Sequence, residues 1–384
     1  MRFLLVALLG VHGAIHLLGF VKAFDLAPVP QLKQDISRQL GVWWLTAALL
    51  LVGAAVLVLT VPVAWWVPAV VGVGLSQALI ASSWSDAKFG TVANALLLVP
   101  LVVALAGQRP SSYPARYARA VDEALADTTP QRVVTDADLD GLPAPAQVWL
   151  RHIGVVGQPR VQTFRALWKA RIRQGPDRPW MDAPAQQVNR VDEPTRVFLM
   201  KASRFGVPFD ALHLYRDGHA TMEVQVASLF TVVDARGPQM DRSETVTFLN
   251  DVCVLAPAAL LDPRVTWQAR DERSVTVTFD TGSQRVSAVL TFDEAFDLVD
   301  FVSDDRLKSA DGKTYERFPW STPLKGHRVV NGVRLPGFGE AVWHEPGGAW
   351  AYGEFELERL EYNVGVKRPV PMDAPLAQRE VLAP

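Results

Sequence analysis

The sequence predicts two unlike parts: an N-terminal four-helix transmembrane bundle, and a C-terminal α+β domain in which an antiparallel sheet packs on one main helix. Three observations predict it. No charged side chain occurs from Gln39 to Ser85, and none from Phe89 to Gln108. From Val161 onward apolar residues tend to recur with period two, the period of a strand with one buried face. One long helical pattern, Arg242 to Leu261, interrupts those strands.

The charge-free runs set the first part, because a helix needs roughly 20 apolar residues to cross the hydrocarbon core of a bilayer. Four spans are expected, at Phe3–Phe24, Leu40–Thr60, Ala64–Trp84 and Phe89–Ala106. Arg2 followed by Phe3 to Leu9 has the look of a secretion signal. The apolar stretch continues to Phe20 with no small-x-small cleavage site, so an uncleaved first span is expected. Val61-Pro62-Val63 turns the chain between spans two and three, and Pro100 is expected to kink span four. Trp43, Trp44, Trp65, Trp66 and Trp84 fall at span ends, where amphipathic rings prefer to sit. Basic residues balance across the two sides, with Lys22, Lys33, Arg38 and Lys88 against Arg2, Arg109, Arg116 and Arg119, so they assign no orientation.

The whole-chain averages, 20% charged residues and a net charge of -2, conceal this division. No basic block argues for nucleic acid. The one cysteine, Cys253, excludes an internal disulfide framework and a cysteine-based zinc site.

After the spans, Pro114 can open a juxtamembrane helix with Tyr117, Val121, Ala124 and Leu125 on one face. Asp136 to Pro145 reads as a linker, and Ala146 to His152 as a short helix stopped by Gly154. The expected layout is therefore 1–108 transmembrane, 109–141 juxtamembrane helix and linker, 142–365 sheet domain, and 366–384 tail.

Three hairpins are legible. Ser274–Phe279 and Val286–Phe292 alternate cleanly around Gly282. Val330-Asn331-Gly332-Val333 carries the Asn-Gly pair that a two-residue primed turn prefers. Glu340–His344 and Trp350–Glu354 join through Pro346-Gly347-Gly348. The alternation implies a sheet with one buried and one wet face. In the interrupting helix, Asp241 and Glu244 have capping-box spacing, and Phe248, Leu249, Val252, Cys253 and Leu255 form an apolar face; Pro257 is expected to disturb the helix, and Pro263 lies just past its end.

Several segments resemble a known family. They are Glu244-Thr-Val-Thr-Phe-Leu-Asn-Asp-Val-Cys-Val-Leu-Ala-Pro257, Val265-Thr-Trp267, Asp304-Asp-Arg306, Pro319-Trp320 and Glu340-Ala-Val-Trp343. In order and spacing they are similar to a widespread bacterial family known as a domain of unknown function. The likeness runs from Leu142 to Tyr362. The segment His12-Gly-Ala-Ile-His16 through Phe24 is similar to the membrane portion of some relatives. The resemblance implies no catalytic residues. One helix on a curved antiparallel sheet also looks like the lipoprotein carrier LolA and its half-barrel relatives, which bind acyl chains; that likeness implies a half-barrel, an extracytoplasmic domain and an acyl-chain ligand.

Candidate chemistry is sparse. His12 and His16, four apart, share one face of span one and could hold a metal, a haem iron or a quinone. The alternative is packing, each His bonding a polar group such as Ser76, Gln77 or Asn94 on a neighbouring helix. Asp86 and Lys88 are expected to pair or to anchor at headgroups. Asn250 and Asp251 are read as lining a pocket against the sheet, and Glu244 as a cap. Asp304, Asp305 and Arg306 are read as a turn with an Asp–Arg ion pair, because neighbours on an extended chain face opposite ways. Trp267, Trp320 and Trp343 are candidates for an aromatic wall around a lipid-like ligand, or for core. No phosphate loop, nucleophile elbow or His-Glu-x-x-His motif occurs.

The reading is a multi-pass bacterial inner-membrane protein whose C-terminal domain binds a lipid or similar hydrophobic molecule, with membrane lipids as partners and no cofactor assigned. Its proposed ligand residues are Asn250, Asp251, Trp267, Arg306, Trp320 and Trp343, and His12, His16 and Gln77 are the polar residues of the spans. The alternatives are a membrane redox or metal enzyme using His12 and His16, and a scaffold without a small ligand.

Overall fold

The computed structural model describes residues 2–309 and 311–365, so the expected tail 366–384 lies outside the described residues. They fall into two units, one ending at Arg109 and one beginning at Pro110.

The first unit is helical: α1 Arg2–Ala23, α2 Arg38–Thr60, α3 Trp66–Ser82, α4 Trp84–Ala87 and α5 Gly90–Gly107. Helices α1, α2 and α5 are long and apolar enough to cross a membrane. The third expected span is shorter: Val61 to Trp65 is spent in a turn, leaving α3 with 17 residues, about 26 Å of helix. Small residues let α1 and α2 approach closely. A Cβ added at Gly19 would lie 2.3 Å from the Trp44 ring. Asp86 does not pair with Lys88; it accepts from the backbone N–H groups of Lys33 (2.6 Å) and Gln34 (2.8 Å) and so ties the α1–α2 loop.

The second unit holds α6 Tyr113–Ala124, α7 Ala144–His152 and α8 Pro238–Leu255. Seven strands precede α8: β1 Thr163–Ile172, β2 Met181–Asp182, β3 Ala185–Arg190, β4 Thr195–Arg204, β5 Val207–Arg216, β6 His219–Val226 and β7 Phe230–Arg236. The strands after it are β8 Val265–Asp271, β9 Ser274–Asp280, β10 Arg285–Phe292, β11 Leu298–Ser303, β12 Leu307–Lys308, β13 Glu316–Arg317, β14 Trp320–Ser321, β15 Leu324–Lys325, β16 Arg328–Val330, β17 Val333–Leu335, β18 Phe338–Glu345 and β19 Gly348–Tyr362. Among the described residues the main sheet is antiparallel, in the order β7-β6-β5-β4-β3-β1-β19-β18-β14-β11-β10-β9-β8. The chain winds outward from β1 to one edge, crosses in α8 to the opposite edge, and winds back until β19 pairs with β1. A helix joining the two edges must lie across a face of the sheet.

All three expected hairpins form, as β9–β10, β16–β17 and β18–β19. At the tip of the second, Asn331 and Gly332 have φ of 50° and 81°, the double left-handed turn that Asn-Gly favours.

Four expectations are corrected. Helix α8 starts at Pro238, with Gly237 before it, so Asp241 and Glu244 lie inside the helix and form no capping box. It ends at Leu255, and Pro257 opens a separate 3₁₀ turn, Pro257–Leu261. The expected linker is packed: Asp136–Leu139 is a 3₁₀ turn whose Leu139 is buried in the core of the sheet unit. Finally, β3 has no wet face, nor has β4 from Thr195 to Leu199. Tyr117 and Val121 of α6, with Leu125 at its C-cap, pack on Val188, Val197, Leu199 and Leu212, on the face of those strands turned away from α8. That is why every residue of β3 is buried.

Candidate functional site

Between α8 and the sheet lies a cavity of about 860 Å³. Alternation aims β4 and β5 into it: Arg196, Phe198 and Met200 from β4, Ala211 and His213 from β5. The helix supplies Met240, Glu244, Thr247, Asn250, Asp251 and Val254, a single stripe at helical spacing. Its ends are apolar and its middle polar. The sheet walls away from that stripe are largely apolar, with Met222 and Val224 of β6 and Phe355 of β19 among them.

The polar middle is an ion cluster. Arg196 donates to Asp251 through Nε (2.6 Å) and to Glu244 through Nη1 (3.1 Å). His213 Nδ1 lies 3.1 Å from the other Glu244 oxygen. Gln187 and Asn189 donate to Asp251 at 3.0 and 3.2 Å, and Trp168 Nε1 donates to Gln187 at 2.9 Å. The Glu244 side chain is 1% exposed and that of Arg196 6%. Burial pushes the Glu244 carboxyl up, but His213 and Arg196 outweigh it and hold the group at about 2. At Asp251 burial wins over Arg196, and the carboxyl stays above the usual range. One guanidinium thus bridges two buried acids, and His213 adds a second partner to Glu244 alone.

Arg306 forms a second polar group. Its guanidinium carbon lies 4.7 Å from the Trp320 ring centre and 5.2 Å from that of Trp343. Its Nε donates to Thr247 at 3.2 Å. Trp320 Nε1 donates to Tyr352 (3.2 Å), which stacks on Trp343. The expected Asp–Arg pair within the turn does not form: Asp305 instead pairs with Arg242 and, at 3.6 Å, with Arg317.

The structure therefore brings together Asn250, Asp251, Arg306, Trp320 and Trp343 on one cavity. Asn250 there donates to Thr322 at 3.1 Å. Trp267 is placed elsewhere: it sits on the edge strand β8, 6.5 Å from the Trp149 ring, because its register aims it at α7. Glu244 is a buried ion-pair member and no cap. Arg196, His213 and Gln187 escaped the sequence reading. Their signal was present in part, since two acids seven apart on one buried helical face need a cation from the facing layer.

In the first unit, His12 Nε2 contacts Asn94 (2.9 Å) and Ser76 (3.1 Å), and Asn94 in turn donates to Gln77 (3.0 Å). His16 Nδ1 lies 2.9 Å from the His12 carbonyl oxygen. His12 thus bonds polar groups on neighbouring helices, whereas His16 bonds within its own helix. No group of three metal-ligating side chains is found among the described residues. Cys253 is buried and its thiol is pushed up by that burial, away from nucleophilic use. Ser321 and His344 (2.8 Å) stand on the sheet face opposite Trp320 and Trp343, and His344 has no ion pair among the described residues.

Residues 132–355 match the model of a family of unknown function, DUF6544. The chain belongs to this family. The match encloses α8, Arg306, Trp320 and Trp343. No curated protein matches the chain. Solved structures similar to it include a putative outer membrane lipoprotein-sorting protein domain from Vibrio parahaemolyticus, with 10% identity and a TM-score of 0.31 over 53% of this chain and 87% of that one. Another is a LolA superfamily protein from Nitrosomonas europaea, with 12% identity and a TM-score of 0.32 over 59% and 94%. A DUF1329 family protein from Desulfovibrio piger has 12% identity and a TM-score of 0.27 over 58% and 94%.

Proposed function

We propose that the C-terminal unit binds a molecule with a large apolar portion, of lipid size, in the cavity between α8 and the sheet. The cavity itself carries this reading. Its volume, about 860 Å³, falls in the range of small-molecule sites, roughly 300–1,000 Å³. Its exposed lining is mainly apolar, and the buried acids Glu244 and Asp251 stand together on one stripe of α8, which suits a ligand with an apolar body and a polar end. Asn250, Asp251, Arg306, Trp320 and Trp343 are ligand residues in this reading, and the α8–sheet layer acts as a half-barrel. The apolar N-terminal helices hold the chain in a bacterial inner membrane as four spans, with the binding unit on the extracytoplasmic side and membrane lipids as the ligand source.

The test is to purify the full chain in mild detergent and identify co-purifying lipids by mass spectrometry. A species should be retained near one per chain. It should be depleted in Met222→Trp and Ala211→Trp, which fill the cavity. Equal retention by parent and variants would refute the reading.

A further inference from the structure

We propose that the polar end of the ligand is an anion, a carboxylate or phosphate, and that Arg306 receives it. The inference rests on the hydrophobic-ligand reading above and names the class of molecule. Arg173, Arg196, Arg204, Arg306 and Lys308 all border the cavity. The main chain of Ala351 and Pro176 engages Arg173, and Glu244 and Asp251 engage Arg196. Glu345 pairs with Lys308 at 2.6 Å, and Arg204, which is exposed, bonds Gln174. Arg306 differs from these. It is half-buried, and beyond the Nε bond to Thr247 its two terminal nitrogens have no acceptor among the described residues.

The geometry explains why those donors are free. The contact with the Trp320 and Trp343 rings draws on the charge of the guanidinium and consumes none of its N–H donors. A guanidinium edge matches the paired oxygens of a carboxylate or phosphate. The Glu244 carboxylate feels the Arg306 charge, but no acid among the described residues accepts a hydrogen bond from Arg306. Glu244 is spent on Arg196 and His213, and Asp251 on Arg196, Gln187 and Asn189. The indole pair also fixes the fork beside an apolar wall, so an amphiphile can place its head on Arg306 while its chain runs along Met222 and Val224.

The experiment uses the full chain in phosphatidylcholine nanodiscs, with energy transfer from tryptophan to cis-parinaric acid or to its methyl ester. The acid should bind at least about tenfold tighter than the ester, the size expected of hydrogen bonds to a charged group. Arg306→Gln should weaken the acid at least about fivefold more than the ester and so remove most of that difference, and Arg306→Lys should recover part of it. Displacement by oleate or by lysophosphatidate then tells a carboxylate ligand from a phosphate ligand, and preference for either over lysophosphatidylcholine supports the assignment. Equal binding of acid and ester by the parent overturns it while leaving the hydrophobic-ligand reading in place. Equal loss of both probes in Arg306→Gln also overturns it, since Arg306 would then only support the two indoles. If the parent binds neither probe and carries no lipid, the hydrophobic-ligand reading itself fails.

Discussion

Replacing Arg196 with Met removes the guanidinium that pairs with both Glu244 and Asp251 and keeps most of the length of the apolar stem. Both acids are then left in a site where Arg196 and Glu244 are 6% and 1% exposed. Breaking a buried ion pair from one side costs about 3–5 kcal/mol. For a unit of this size about 2–4 °C of midpoint accompanies each kcal/mol, so the sheet unit should melt roughly 6–20 °C lower. Cys253 supplies a readout specific to that unit. It is the only cysteine in the sequence and is buried in the core as part of α8, so thiol labelling during heating reports opening of the sheet unit and not of the helical one. The pH dependence has a definite sign. In the parent, Glu244 sits at about 2, below an unfolded value near ~4.3. Its contribution is present above that value and is lost as pH falls through 2. Asp251 is raised and has the opposite sign. Without Arg196 both carboxyls move up, and protonation relieves the folded variant on acidification. The gap between parent and variant should therefore be widest near neutrality and narrow toward acid. A variant melting within about 2 °C of the parent at neutral pH, or a gap that widens on acidification, would refute the ion cluster as an organising feature.

Three further outcomes are expected. Gly332→Ala should destabilise the sheet unit by about 1–2 kcal/mol, because a side chain is imposed on a left-handed turn and its Cβ would lie 2.7 Å from Gln158 Nε2; equilibrium unfolding followed at Cys253 measures it. His12→Phe should cost the helical unit about 1–2 kcal/mol in a denaturing-detergent titration, the worth of two interhelical hydrogen bonds, and should leave the visible absorbance of the protein unchanged. Cys253 should resist thiol reagents in the native protein and react once the sheet unit is unfolded, since burial holds it protonated.

The elements that could be read from sequence are those whose signal is local. Long charge-free runs mark helices α1, α2 and α5 because length and apolarity suffice. Asn331-Gly332 marks a hairpin because few other pairs adopt that turn cheaply. The existence of α8 was legible from its periodicity, but its start was not. Asp241 and Glu244 have the spacing of a cap, and the same spacing serves a buried acid whose partner arrives from a strand some fifty residues upstream in the chain. The role of α6 was hidden for a similar reason: Tyr117, Val121 and Leu125 announce an apolar face and do not say which surface covers it. Trp267, Trp320 and Trp343 look alike in sequence, and only register separates the first from the other two.

Which stretches avoid water, which coil and which extend can therefore be read along the chain, because those preferences are settled within a few residues. The tertiary structure decided the rest. It chose the pairing of β19 with β1, the crossing of α8 from edge to edge, and the cavity that the crossing leaves. Arg196 meets Glu244, and Arg306 meets Trp320 and Trp343, only once antiparallel register has brought distant strands to the same face, and no local preference encodes that register.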